Sequence, residues 1–231
     1  MPASPRIRTF ALVLIASAAA PIAAHAQELI GPAGRLVIAW RAPAVPTMPT
    51  VTWTIASREG QVSTVRAEAR ALFNRMVSDS AVYRVIFPLQ NGDPFGTRYE
   101  IAYDTAALDA IGRLDIGKSV RIAAKTVSTL THPQTKQVVR REYGGTSVLT
   151  VEKRETIEVP AGRFETIVLR LDSEAPPGTP PGHRVYRRYW YAPALGWYVR
   201  HELAMVGPTV NQHNEYVAAK ITPAERRAER K

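Results

Sequence analysis

A mainly β fold is expected for this chain. It should be a curved antiparallel sheet, wound as a half-barrel-like meander, with one or two short helices. Three observations predict it. Alternating apolar and polar runs recur along the 231 residues, as in "TVTWTIAS" from Thr50 to Ser57 and "TRYEIAYD" from Thr97 to Asp104. Turn-forming stretches separate them, among them "QNGDPFG" at 90–96 and "VPAGRF" at 159–164. There is no cysteine, so an apolar core must hold the fold without disulfides.

The first residues read as an export signal. Arg6 and Arg8 precede the apolar run "FALVLIASAAA" at 10–20, and Ala24-His25-Ala26 supplies the small residues of a cleavage site. Cleavage after Ala26 predicts a 205-residue periplasmic protein that does not span the membrane. Residues 27–49 form an extended N-terminal segment, with a strand-like run "RLVIAW" at 35–40 followed by Pro43, Pro46 and Pro49. Residues 50–220 form a single β-rich domain, and 221–231 a charged tail.

Within that domain, residues 61–77 carry two patterns. "VSTV" suits a return strand, while "RAEARAL" is good helix material, so a strand giving way to a short helix near Ala67 is expected. "AVYRVIFPL" at 81–89 reads as one strand, and "TAALDAIGRL" as a short helix. Strands are then expected at 118–130, 137–143 and 147–159, with Gly144-Gly145 in a loop. "VPAGRF" suits a three-residue hairpin loop with Gly162 in the left-handed region. "EAPPGTPPGH" at 174–183 is a surface loop.

The last hairpin carries the candidate site. In "YRRYWYAPALGWYVRHE" at 186–202, pairing Tyr191 with Trp197 sets Trp190 opposite Tyr198, Arg188 opposite Arg200, and Tyr186 opposite Glu202. These five, Tyr186, Arg188, Trp190, Tyr198 and Arg200, form the expected ligand-binding face. The facing arginines call for something to offset their repulsion: Glu202, ring faces, water or an anion. The bland alternative is a sheet-forming hairpin whose arginine stems cover aromatic rings. A slip of one residue would exchange the two faces.

Charge points weakly to partners. The chain carries a formal +10, or +8 without the leader, with 24 arginines and 6 lysines scattered along it. This favours lipid, glycolipid or an anionic envelope polymer; nucleic acid is not expected. No metal or other cofactor is expected. Thiolate metal sites and cysteine nucleophiles are excluded outright. His132, His183, His201 and His213 lack zinc-site spacing. Asp104 with Asp109, and Glu155 with Glu158, have the spacing of ordinary turn and strand-face charges. No G-x-S-x-G elbow occurs. Gly112, Gly117, Lys118 and Ser119 in "GRLDIGKS" match a phosphate-loop pattern, but helix-like residues precede it and a strand follows, so the match is read as false.

"VPAGRFET" at 159–166 and "YWYAPALGWYVRHE" at 189–202 together resemble an uncharacterised group of exported bacterial proteins with V-P-A-G-x-F and W-Y-A-P-x-x-G-x-V hairpins. That group resembles in architecture the periplasmic lipoprotein carriers LolA and LolB. The resemblance implies a half-barrel over an apolar cavity and carries over no catalytic residue. The expectation is therefore a non-catalytic periplasmic protein holding an apolar or amphiphilic envelope molecule on the concave face of its sheet. The alternatives are an interaction module docking a protein at a sheet edge and, third, an envelope hydrolase.

Overall fold

The computed structural model describes residues 36–44, 50–59, 62–70, 75–83, 85–92, 97–132, 134–174, 182–208 and 210–223. The leader, most of the 174–183 loop and the tail beyond 223 lie outside them. The strands are β1 Leu36–Arg41, β2 Val51–Glu59, β3 Val62–Arg70, β4 Arg75–Tyr83, β5 Phe87–Gly92, β6 Thr97–Tyr103, β7 Ser119–Thr131, β8 Val138–Val159, β9 Gly162–Ser173, β10 Arg184–Ala192, β11 Trp197–Val206 and β12 Asn211–Pro223. Helix α1 spans Thr105–Ile111 between β6 and β7.

Every strand pairs antiparallel with its sequence neighbours, and β1 pairs with both β2 and β12. The expected curved meander is present, but it closes into a complete barrel and not a half-barrel. The "RLVIAW" run makes the closure. Ile38 lies opposite Trp53 on one side and Ile221 on the other. The barrel thus begins at Leu36, before the expected boundary at 50, and runs to Pro223.

Four local expectations are corrected. Residues 62–70 are all strand, because β3 is paired on both sides and its buried Val65 repays a geometry that helix-favouring residues alone would not choose. The run 81–89 is split, since Val85 and Ile86 form a turn with Val85 at φ 74, and the chain reverses to pair Tyr83 with Phe87. Gly144-Gly145 is not a loop. It lies inside the 22-residue β8, opposite Lys125 and Ala124. The "VPAGRF" turn has two loop residues, with Val159 opposite Gly162, whose φ of 138 only glycine adopts readily.

Helix α1 follows its sequence signals. Asp104 caps it, accepting hydrogen bonds from Ala106 N at 3.0 Å and Ala107 N at 3.4 Å, and the helix gives way at Gly112. Its Ala107, Leu108 and Ile111 join an apolar cluster with Ile122, Leu149, Tyr191 and Trp197. The same cluster continues into an aromatic group. His201 stacks on Tyr216 at 4.8 Å and meets Trp40 and Tyr198 edge-on at 5.2 and 5.5 Å.

Candidate functional site

The β10–β11 hairpin has a different register from the expected one. Ala192 faces Trp197, Tyr191 faces Tyr198, and a bulge then sets Trp190 opposite Arg200, Tyr189 opposite His201 and Arg188 opposite Glu202. The extra residue is Val199, which is fully buried. The two arginines therefore do not face each other. The bulge also divides the five expected site residues, leaving Tyr186, Arg188, Trp190 and Arg200 on the outer face while Tyr198 lines the lumen.

The four outer residues are neutralised by their own sheet. Arg188 donates to both carboxylate oxygens of Glu152, at 2.7 and 3.2 Å, and to Glu202 at 3.0 Å. Tyr186 donates to Glu202 at 3.3 Å, and His213 Nδ1 lies 3.0 Å from the same carboxylate. Trp190 donates to Glu155 at 2.6 Å, and the Arg200 guanidinium covers the Trp190 ring at 4.2 Å. Arg200 Nε lies 3.0 Å from Glu215 Oε1 without hydrogen-bond alignment, an ion pair only. Glu202 is held below the usual carboxylate range because its bonds to His213 and Arg188 outweigh burial, which alone would push it up. This face offsets its charges internally and needs no bound anion.

The barrel interior is different. It contains a cavity of about 610 Å³ lined from strands β2 to β11. One wall is apolar, with Val65, Val82, Val85, Phe87 and Ile101. Small residues keep the middle open. Ala67, Ser78, Ser80, Ala124, Gly145, Ser147 and Ser173 all face it, and Ala124 lies directly opposite Gly145. A Cβ built on Gly145 would meet nothing within 4 Å. Barrels of about eight strands are just wide enough for side chains to fill; a twelve-stranded barrel lined by such residues stays hollow.

The lining also carries polar and aromatic side chains, Arg187, Tyr189, Tyr198, Tyr103 and Glu174, and Tyr103 meets Phe87 edge-on at 5.4 Å. Glu174 accepts from the Thr146 amide at 3.1 Å, Ser147 and Ser173 bond each other at 3.1 Å, and Tyr103 donates to the Pro88 carbonyl at 3.1 Å. Burial pushes the phenols of Tyr103, Tyr189 and Tyr198 up, so all stay protonated donors; Arg187 partly offsets this at Tyr103 and Tyr189. Burial likewise lowers His201 to about 4, and the Arg187 charge adds to the effect.

The remaining candidates are ordinary structure. Gly112 ends α1, Gly117 turns at φ 80 and donates to the Val151 carbonyl, and Ser119 opens β7. Helix precedes strand, the reverse of a phosphate loop. Lys118 sits in that turn. His132 accepts from the Thr135 amide at 3.1 Å, and His183 is buried. Of the paired carboxylates, Asp104 caps a helix and Glu155 accepts from Lys153 and Trp190. Among the described residues no group of acids and histidines could hold a metal. Arg187 lines the lumen and was not among the expected site residues. It sits in the quoted hairpin, one position from the arginine chosen, and strand alternation alone separates them.

By fold and site this is a closed twelve-strand up-and-down barrel with a hollow, half-apolar lumen. No family model matches the chain, and no curated protein does. Solved structures with partial likeness include the hypothetical lipoprotein YmcC of Escherichia coli, at 12% identity and TM-score 0.47 over 87% of this chain and 90% of that one. A protein of Bacteroides fragilis described as exported, with a YmcC-like fold, matches at 12% identity and TM-score 0.44, over 83% and 97%. A protein of Parabacteroides distasonis described as a lipoprotein matches at 11% and 0.41, over 84% and 98%. None of the three is described as a LolA- or LolB-type carrier, and at TM-scores below 0.5 none bears on what this chain does.

Proposed function

We propose that this chain is a non-catalytic protein of the bacterial envelope that holds one apolar or amphiphilic molecule, such as a lipid, a glycolipid or the acyl part of a lipoprotein, inside the barrel. The cavity of about 610 Å³ carries the reading. It falls within the roughly 300–1,000 Å³ of small-molecule sites and has their usual make-up, an apolar lining with a few convergent polar groups. The row of small residues supports it further. A chain under pressure only for stability would fill such a space, because unfilled volume forfeits packing energy. The export signal read at residues 1–26 supports an envelope location. The ligand site thereby moves from the outer face of β10 and β11 to their inner face, and Tyr198 is the one expected site residue that moves with it.

Barrel closure weakens the alternative of an interaction module, since pairing of β1 with β12 removes the open edge on which strand-on-strand docking relies. Native mass spectrometry of the exported full-length chain, released under gentle activation, tests the proposal. One co-purifying amphiphile per chain is expected, lost on organic extraction while the barrel stays folded. A bare-chain mass from its native compartment, with no added lipid retained, overturns it.

A further inference from the structure

Arg187, with the hydroxyls of Tyr189 and Tyr198, makes a built anion seat, and we infer that the lumen selects an amphiphile whose head is a carboxylate or phosphate. This rests on the lumen being the binding site. Arg187 projects from the middle of β10, between Leu171 on β9 and Leu203 on β11, and lines the cavity where it is open to solvent, its own side chain exposed. Among the described residues no carboxylate lies within 4.0 Å of it, in contrast to its neighbour Arg188, which holds two. Glu174, at the edge of the same cavity, is committed to the Thr146 amide.

The tyrosines make a second, independent observation. Tyr189 is 8% and Tyr198 4% exposed, both line the cavity, and neither hydroxyl has a hydrogen-bond partner among the described residues. Among the described residues the unpaired polar atoms that are themselves buried are Trp40 Nε1, Trp197 Nε1 and Arg200 Nε, so the two tyrosine hydroxyls stay open to the cavity, where water or a ligand can reach them. Two phenol hydroxyls share the cavity lining with a guanidinium that, among the described residues, has no carboxylate within 4.0 Å; the set is positively charged and rich in donors, although each phenol oxygen can also accept. Its complement is an acceptor carrying negative charge, and a guanidinium fork matches the paired oxygens of carboxylate and phosphate alike. Val65, Val82, Val85, Phe87 and Ile101 give the same lumen an apolar surface, interrupted by Ser78, Ser80, Tyr99 and Tyr103, that suits a hydrocarbon chain.

The test uses the neutral apolar dye N-phenyl-1-naphthylamine, displaced from the full-length chain by sub-micellar oleate, oleoyl lysophosphatidate or oleyl alcohol. In the unaltered protein, oleate and the lysophosphatidate should displace the dye at concentrations about tenfold or more below oleyl alcohol, since a hydrogen-bonded charge adds that much over an uncharged hydroxyl. The better of the two anions identifies the head as carboxylate or phosphate. Arg187→Gln should keep dye binding and displacement by oleyl alcohol while removing the anion preference. Tyr198→Phe should weaken the two anions by a smaller factor. Equal displacement by all three amphiphiles in the unaltered protein overturns the inference and leaves the lumen reading standing. So does an Arg187→Gln change that weakens all three alike. Failure of the dye and of every amphiphile to bind the folded protein instead removes the lumen reading itself. The comparison within the unaltered protein needs no variant, and oleyltrimethylammonium serves as a second control that should displace dye no better than oleyl alcohol.

Discussion

Arg187 and Arg188 are neighbours in sequence and opposites in surroundings. Arg188 points out of the barrel into a closed network with Glu152 and Glu202, beside Arg170, which is paired with Asp172. Arg187 lines the lumen with Tyr189 and Tyr198, is exposed there, and among the described residues has no carboxylate within 4.0 Å. The outer face of this hairpin has the charge pattern of a surface that stabilises itself. The inner face carries Arg187 and two tyrosine hydroxyls that open onto the cavity and have no hydrogen-bond partner among the described residues. Composition is the same on both faces, arginine and aromatic rings. What differs is whether the sheet supplies the counter-charge, and that is why the inner face is the one proposed as the site.

Substitutions on the inner wall away from the cavity should show the largest stability effects. Trp40 is 2% exposed and packs against Trp53, Tyr198 and His201. Trp40→Ala should lower the unfolding free energy by about 3–5 kcal/mol, measured by urea denaturation. A loss no larger than that of an outer-face change would break the distinction between the faces.

Acid should act on the same inner group. His201 is enclosed by Trp40, Trp53, Tyr189, Tyr198 and Tyr216, and its pKa falls to about 4 against about 6.5 when unfolded. Between those values the unfolded chain binds a proton that the folded chain does not. Stability contributed by keeping His201 neutral is therefore intact above pH ~6.5 and lost as pH falls towards ~4, by on the order of 3 kcal/mol in all. His201→Phe should flatten the unfolding free energy across that window. An unchanged slope in the variant would assign the acid sensitivity to other groups.

Outer-face changes should be milder and leave binding alone. Arg188→Ala strips Glu152 and Glu202 of a shared partner and should lower stability by about 1–2 kcal/mol, with no change in dye binding. Lys153→Ala breaks an exposed pair with Glu155 and should fall within ~0.5 kcal/mol of the parent. Dye binding that drops with Arg188→Ala would return the site to the outer face.

The β class, the helix at 105–111 and most strands were legible because alternation and turn residues are local signals. Closure was not, because it depends on "RLVIAW" finding β12 some 180 residues away, and a six-residue run says nothing of its partner. Gly144-Gly145 looked like a loop for the same local reason. Flanking strands hold the pair extended, and the missing side chain of Gly145 serves the lumen. The site was half legible. The proposed lumen site draws on the same hairpin, but the bulge at Val199 shifts the register past Tyr191, and no residue type announces a bulge of that kind.

The hollow lumen is the central claim, and a titration with N-phenyl-1-naphthylamine of the parent and Gly145→Leu tests it most directly. Leucine at 145 fits the backbone, since its Cβ meets nothing within 4 Å, and it projects into the lumen opposite Ala124. The account predicts one saturable dye site per chain in the parent and at least a tenfold loss of affinity in Gly145→Leu, with the melting temperature held or raised. Equal binding by both proteins, or none by the folded parent, would contradict it.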